Sequence, residues 1–428
     1  MKVYKFGGAS VKDAAGIINL SGILSLEKGD LIVVVSAFGK TTNALEKVHS
    51  QWYSGTDYSS ALEEVFNYHN AIMKDLFTGC NPVRNEIDAS FSGLRDYLSQ
   101  EEKEGFDFSY DQVVSHGEIW STIIVGGYLK TVFAGAEWKD IRKILVTDNR
   151  YRDANVIWDE SAARASEVFN FQRARIYVTQ GFIGGTIDGN STTLGREGSD
   201  YSAAILANML GAESVTVWKD VPGILNADPK WMDDAVKMDE ISYREAVEMA
   251  FSGAKVIHPK TIKPVHNKNI PLHVKSFLTP GSKGTIIISD PDIKKVLPVF
   301  IRKENQMLIS ILPNDFSFVM GDNLSRIFRY FSERGIKVNL VEASAVSIDV
   351  CVNHESPHVE EIINFLKPEF SIVYNENVEL LTVRHYNEEA VRKITAGREI
   401  LLEQRTRSMV RFVVRCPSRP PQMGRSEI

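Results

Sequence analysis

The stretch Lys2-Val3-Tyr4-Lys5-Phe6-Gly7-Gly8-Ala9-Ser10 constrains the fold of this chain more than any other. It predicts a buried strand, a glycine pair and a helix starting near Val11, with Ser10 as its cap. Two adjacent glycines let a backbone turn closely around a bulky anion. The N–H groups of a following helix point at the same place. Lys5 adds a full positive charge there. Such a junction suits a phosphate, and the same nine residues also fit an ordinary strand–turn–helix with a solvated lysine.

The same grammar repeats downstream. Leu31-Ile32-Val33-Val34-Val35 is wholly apolar and β-branched, as expected of a central parallel strand covered on both faces. It leads into Ser36-Ala37-Phe38-Gly39-Lys40-Thr41-Thr42-Asn43. Gly39-Lys40-Thr41 is not a Walker loop, because that motif needs a glycine where Val34 stands. A small, hydroxyl-bearing loop at a strand's carboxyl end remains, the usual ligand edge of an α/β sheet. Residues 44–78 are expected to be helical, with an apolar stripe at helical spacing from Ala61 to Phe77. A further helix opens at His116-Gly117-Glu118 and runs to about Phe133. Glu118 is a carboxylate between a glycine and apolar neighbours. It fits a ligand-binding role or a first-turn glutamate favoured by the helix dipole. His116 reads as a capping or packing residue.

Ile176 to Gln180 predicts a strand running into Gly181-Phe182-Ile183-Gly184. Then Gly195-Arg196-Glu197-Gly198-Ser199-Asp200 precedes an alanine-rich helix, placing an arginine able to grip a carboxylate or phosphate beside a helix N-terminus. Ser214 to Lys219 reads as a strand ending in a charged turn at Asp220. Repeated strand-then-helix units imply a mostly parallel sheet. Every motif sits at a strand's exit or a helix's entry, so all are expected to converge on one edge.

Bulk properties exclude several classes. The 428 residues suffice for two or three domains. A net charge of −6 argues against nucleic acid or an anionic membrane as the main partner, so any anionic ligand must be held by local cations. The apolar runs are far short of a membrane span. The chain enters a strand at once, so no signal peptide is expected. Cys80, Cys351 and Cys416 are few and far apart, which suggests a reducing cytoplasm without disulfides or a zinc site.

Around residues 276–300 prolines and glycines mark a boundary. Beyond it the pattern predicts strand 306–312, helix 323–334, strands 337–343 and 345–352, helix 357–366 and strand 371–375. That order is the ferredoxin-like unit. Residues 378–415 begin a second such unit, with strand, helix, strand and strand but no last helix. From Gln404 the chain carries six arginines against one acid, with three prolines, and residues 416–428 are expected to be disordered.

These motifs, in this order, resemble the aspartokinase branch of the amino-acid kinase family. The matching pieces run from Lys5-Phe6-Gly7-Gly8 through Ser36-Ala37, Thr42-Asn43, His116-Gly117-Glu118, Gln180 to Gly184, Gly195-Arg196, Gly198-Ser199-Asp200-Tyr201, Trp218-Lys219-Asp220-Val221 and Asp228-Pro229 to Gly253-Ala254-Lys255-Val256-Ile257-His258-Pro259. The resemblance implies a three-layer α/β sandwich over residues 1–290. ACT-like regulatory units follow, a first over 300–376 and a partial second over 377–415. It implies transfer of the ATP γ-phosphate, with Mg²⁺ carried by ATP, to the side-chain carboxylate of L-aspartate. The product, 4-phospho-L-aspartate, leads toward lysine, threonine and methionine. By resemblance, Lys5, Phe6, Gly7 and Gly8 hold the transferring phosphates and Asp200 orients the catalytic Lys5. Ser36, Thr42, Glu118, Phe182, Arg196 and Ser199 bind aspartate. Lys219, Asp220, Leu225, Lys230, Lys255 and Val256 surround the nucleotide, although the family often has threonine, tyrosine and arginine where this chain has Lys219, Leu225 and Lys230. A homodimer or higher homo-oligomer is implied, with lysine or threonine as effector near Asp322, Asn323 and Val338.

The chemistry agrees with those roles. A carboxylate acceptor with a pKa of about 4 is already ionised at neutral pH. No general base is needed. The obstacle is repulsion between two anions, so cations and dipoles must do the catalysis.

Overall fold

A computed structural model describes residues 1–79, 81–100, 103–254, 257–292, 296–315, 317–319, 321–355, 358–415 and 423–425. The chain forms two compact units. The first comprises Met1–Ile224, Lys237–Ala250 and Lys255–Ile293, and the second Leu225–Val236, Phe251–Ala254 and Lys294–Ile428.

The first unit opens with β1 (Lys2–Phe6), α1 (Ala14–Ser25), β2 (Leu31–Val35), α2 (Thr41–Tyr53), α3 (Ser59–Leu76), α4 (Pro82–Leu98), α5 (Phe106–Val114) and α6 (His116–Val132). It continues through β3 (Ala136–Trp138), α7 (Trp158–Val168), β4 (Ile176–Gln180), β5 (Ile183–Gly185), β6 (Ser191–Thr193), α8 (Gly198–Leu210) and β7 (Ser214–Lys219). The remaining elements are β8 (Glu240–Ser242), α9 (Tyr243–Ser252), which runs on into the second unit, α10 (Pro259–Asn267), β9 (Leu272–Ser276) and β10 (Thr285–Ile288). Eight strands form one sheet in the order β3-β4-β2-β1-β7-β9-β10-β8. Every pairing is parallel except that between β9 and β10. All residues of β2 and β4 are buried, as β-branched strands covered on both faces must be. The expected mostly parallel α/β sheet is borne out.

Two local expectations need correction. The first helix starts at Ala14, and its cap is Asp13, whose side chain accepts from the Gly16 N–H. Ser10 instead closes a tight turn, with its N–H on the Gly7 carbonyl at 2.9 Å. A carboxylate at the N-cap satisfies a donor that a neutral hydroxyl would otherwise serve. The helical stretch expected over 44–78 is two helices, broken between Tyr53 and Ser59 where Gly55 adopts φ 75°.

The second unit is an antiparallel sheet with helices. Its strands are β11 (Val299–Pro313), β12 (Val338–Ala343), β13 (Ile348–Asn353), β14 (Phe370–Arg384), β15 (Glu399–Arg405), β16 (Met409–Arg415) and the short β17 (Met423–Arg425), and its helices are α11 (Asp322–Glu333), α12 (Val359–Leu366) and α13 (Glu388–Thr395). The main strand order is β12-β13-β11-β14-β16-β15, with β17 on β14. The ferredoxin-like pattern expected over 306–375 is present with its strands and helices in place. β11 and β14 each run through two halves of the sheet. Residues 306–311 of β11 pair with β13, whereas Val299 to Lys303 pair with the far half of β14. At the crossover Asn305 and Asn377 take left-handed φ values of 53° and 54°. The second ACT-like half therefore takes a strand from residues 299–303, and position 376/377 lies inside β14. Three residues of the expected disordered tail form β17, and the rest of 416–428 lies outside the described residues. Among the described residues no helix is long and apolar enough to cross a membrane.

Candidate active site

Strand order builds the site. β4, β2, β1 and β7 are neighbours and run parallel, so their carboxyl ends share one edge. The loops leaving that edge carry Gly181-Phe182, Ser36-Ala37, Gly7-Gly8 and Asp220. Close backbone approaches lock them together. A side chain on Gly8 would bring Cβ to 2.5 Å from the Ala37 carbonyl, and one on Gly181 to 2.6 Å from Ser199 Cβ. Phe182 adopts φ 70°, and its N–H donates to Ser202 Oγ at 3.0 Å, which ties the β4 exit to the first turns of α8.

Lys5 points toward the glycine pair, since a Cβ at Gly7 would lie 3.4 Å from its Nζ. The ammonium is 2.7 Å from Asp200 Oδ1, and both side chains are nearly buried. That oxygen makes an ion pair rather than a hydrogen bond of ordinary geometry. Burial pushes the Asp200 carboxyl up, but Lys5 and then Lys219 outweigh it and hold the group below its ordinary value. Asp200 sits in the first turn of α8, where the helix dipole favours a negative charge. Lys219 Nζ approaches the other oxygen, Oδ2, at 3.5 Å.

Glu118 is buried in the first turn of α6. Its Oε1 accepts the Ala37 N–H at 3.2 Å, and its Oε2 has no hydrogen-bond partner among the described residues. Burial pushes its carboxyl up to about 8, against the opposing pull of the Ala37 N–H and Lys5. An unpaired buried oxygen is costly. A cationic group arriving there would satisfy it and ionise the acid. His116 is a packing residue: its Nδ1 lies 2.9 Å from the Gln112 carbonyl, its ring lies against Trp120, and burial holds it down to about 4.

The remaining expected residues divide. Ser199 is buried in the first turn of α8, and Ser36 and Thr42 are half-buried at the β2 exit and the start of α2. Phe6 is wholly buried with its ring stacked on Trp218, so its side chain belongs to the core. Arg196 is exposed in the turn that leads into α8, four residues before Asp200. Asp220 is exposed just beyond β7. Leu225 and Lys230 belong to the second unit, where the Lys230 N–H caps on Asp228 Oδ1 at 2.9 Å. Lys255 and Val256 lie outside the described residues, as do Cys80 and Cys416. Sequence spacing missed the Ala37 amide, Ser202 and the Lys219–Asp200 pair. Each is a contact between distant segments, which local patterns do not reveal.

A parallel sheet whose strand ends gather a lysine–aspartate pair, two glycines and a helix N-terminus defines a class. The model of the amino acid kinase family matches residues 1–276, and the chain belongs to that family. Within it the chain is similar to aspartokinases. It is 32% identical over 351 residues to lysine-sensitive aspartokinase 3 of Escherichia coli (strain K12), covering 81% of this chain and 77% of that protein. It is 32% identical over 385 residues to the chloroplastic bifunctional aspartokinase/homoserine dehydrogenase 2 of Arabidopsis thaliana, covering 86% of this chain and 42% of that protein. The chain thus spans about two fifths of the length of the bifunctional plant relatives it matches. Two crystal structures of E. coli aspartokinase III, one in complex with lysine and aspartate and one with aspartate and ADP, each align with a TM-score of 0.80 at 27% identity. Each alignment covers 97% of this chain and 96% of the other.

Proposed function

We propose that the protein is an aspartate kinase, transferring the γ-phosphate of ATP to the side-chain carboxylate of L-aspartate to give 4-phospho-L-aspartate. The observation that carries this is the Lys5–Asp200 ion pair at the same sheet edge as a buried glutamate with one unpartnered oxygen. Lys5 opposes the charge of the transferring group, and Asp200 fixes its ammonium. Glu118 pairs with the substrate ammonium, which separates an amino acid from a plain dicarboxylate. Arg196 clamps the α-carboxylate bidentately, with Ser36, Thr42, Phe182 and Ser199 completing the pocket. Gly7, Gly8 and the Phe6 backbone admit the phosphates, with Lys219 and Asp220 beside the nucleotide.

No three His, Cys, Asp or Glu side chains gather to hold a metal among the described residues. Mg²⁺ would come with the triphosphate and neutralise part of its charge. The similarity to a lysine-sensitive relative supports an amino-acid effector, lysine or threonine, on the ACT-like unit near Asp322, Asn323 and Val338. A cytoplasmic homo-oligomer paired through those units completes the proposal.

The test is ADP release with aspartate, glutamate, carbamate and UMP offered separately, with and without lysine and threonine. Release that depends on aspartate alone is expected. Turnover with another acceptor would replace the assignment.

A further inference from the structure

Asp111 lies in α5 and is wholly buried, yet the proposed chemistry does not use it. Its Oδ2 accepts two backbone N–H groups, from Thr193 at 2.8 Å and from Arg152 at 3.0 Å. Its Oδ1 accepts the Thr193 hydroxyl at 2.8 Å. Only a carboxylate offers enough lone pairs to take all three donors in one place while donating nothing itself. Thr193 ends β6, and Arg152 takes a left-handed φ of 68°. A non-glycine residue keeps that conformation only where its surroundings fix it. α5 fixes it twice more, since the Arg152 guanidinium donates to Asp107 at 3.1 Å and lies over the Tyr110 ring at 4.6 Å. The two segments that Asp111 ties together meet again at the turn carrying Arg196. The Ala154 N–H donates to the Thr193 carbonyl at 2.9 Å. Gly195, with φ 78°, lies so close to residues 152 and 153 that a Cβ there would be 2.7 Å from Asp153 Oδ1 and 3.4 Å from the Arg152 carbonyl oxygen. On its other side the Leu194 N–H donates to the Phe182 carbonyl at 2.8 Å, and the Gly198 N–H to the Gly195 carbonyl at 3.1 Å. The Arg196 side chain is exposed, so the turn beneath it sets where the guanidinium can reach.

We propose that Asp111 is a positioning residue for aspartate binding: by tying Thr193 to Arg152 it braces the turn at Gly195 and so aims Arg196 at the α-carboxylate of the substrate. This deepens the reading of Arg196 as the carboxylate clamp and rests on it. Asp111 itself touches neither substrate nor nucleotide. A bidentate clamp works only when both N–H groups face both oxygens, so a small shift of the turn weakens it.

The test is a double-mutant cycle on KM for aspartate, with kcat and the KM for ATP read alongside. Arg196→Ala is expected to raise KM for aspartate about a hundredfold. Asp111→Ala should raise it about tenfold while kcat at saturating aspartate and the KM for ATP stay within about threefold. Asp111→Asn should restore KM to within about threefold of wild type, because its carbonyl can accept both N–H groups and its amide can donate to the Thr193 hydroxyl. In the Arg196→Ala background, Asp111→Ala should add less than about twofold, since nothing is left for it to aim. If Asp111→Ala does not fold, Thr193→Val removes the hydroxyl donor alone and carries the same cycle. Single effects that multiply in the double variant would overturn the proposal, because they would mark two independent sites. So would an unchanged KM for aspartate in Asp111→Ala, or an equal loss in kcat and in the KM for ATP. A wild-type KM in Arg196→Ala would overturn the clamp reading and the proposal with it. A wild-type chain that turns over ATP only with another acceptor would overturn the aspartate assignment itself.

Discussion

In the first unit β4, β2, β1 and β7 lie side by side and run the same way, so four loops far apart in sequence leave from one edge. In the second unit β11 and β14 are each fifteen residues long, and each serves two halves of an antiparallel sheet. The parallel sheet turns a local signal into a global one: a motif that follows a strand must sit at the ligand edge. The antiparallel sheet gives no such guarantee. A half-unit there can borrow a strand from 75 or more residues away, as Val299 pairing with Arg384 shows. Chemistry concentrates where topology gathers it.

The largest expected effect separates the two units. Phe331 is buried in the core beneath α11, with Ile327, Ile336 and Ile362 in the same cluster. Phe331→Ala should cost about 3–5 kcal/mol of stability, seen by calorimetry as a lowered transition of the second unit. Turnover measured without effector should stay within about twofold, as for a site with no shared partners. An equal loss of turnover would break the division. Next, Asp200→Asn should lower kcat by about a hundredfold, because Lys5 loses the anion that orients it. The second unit's unfolding should not change.

The smallest of these effects sharpens the site itself. Glu118→Gln should raise KM for aspartate about tenfold, the cost of losing one charge-assisted pair. The sign of the accompanying pH effect follows from the Glu118 carboxyl standing at about 8 in the free protein. Near neutral pH the acid is largely protonated, and an arriving ammonium must expel that proton. Wild-type KM should therefore fall as pH rises toward 8, and calorimetry in buffers of different ionisation enthalpy should show proton release on binding. The Gln variant should show neither. A pH-independent wild-type KM would sink the pairing of Glu118 with an ammonium.

Much of this is legible in the sequence. β1 lies ahead of its glycine pair as read, β2 lies on its apolar, β-branched run, and the loops after them meet. Glu118 stands out in sequence as a carboxylate between a glycine and apolar neighbours, and Asp200 as an acid beside Gly198 and Ser199 at the head of an alanine-rich helix. Both are buried. Helix boundaries were less legible. Asp13 outcompetes Ser10 as a cap, and the helical stretch over 44–78 breaks at a turn where Gly55 takes a left-handed φ. Long-range pairs were not legible at all. Lys219, at the end of β7, meets Asp200 only where the head of α8 lies at the same sheet edge, and nothing within either segment signals it. The interleaving of β11 and β14 was hidden for the same reason.

The most direct measurement is the rate of acyl phosphate formation, trapped as the hydroxamate, by wild type and Lys5→Ala with ATP, magnesium and aspartate. Removing a preorganised charge from the transferring group should lower that rate at least about a hundredfold in a protein that still folds. Formation of aspartyl hydroxamate by Lys5→Ala at a rate near that of wild type would contradict the account.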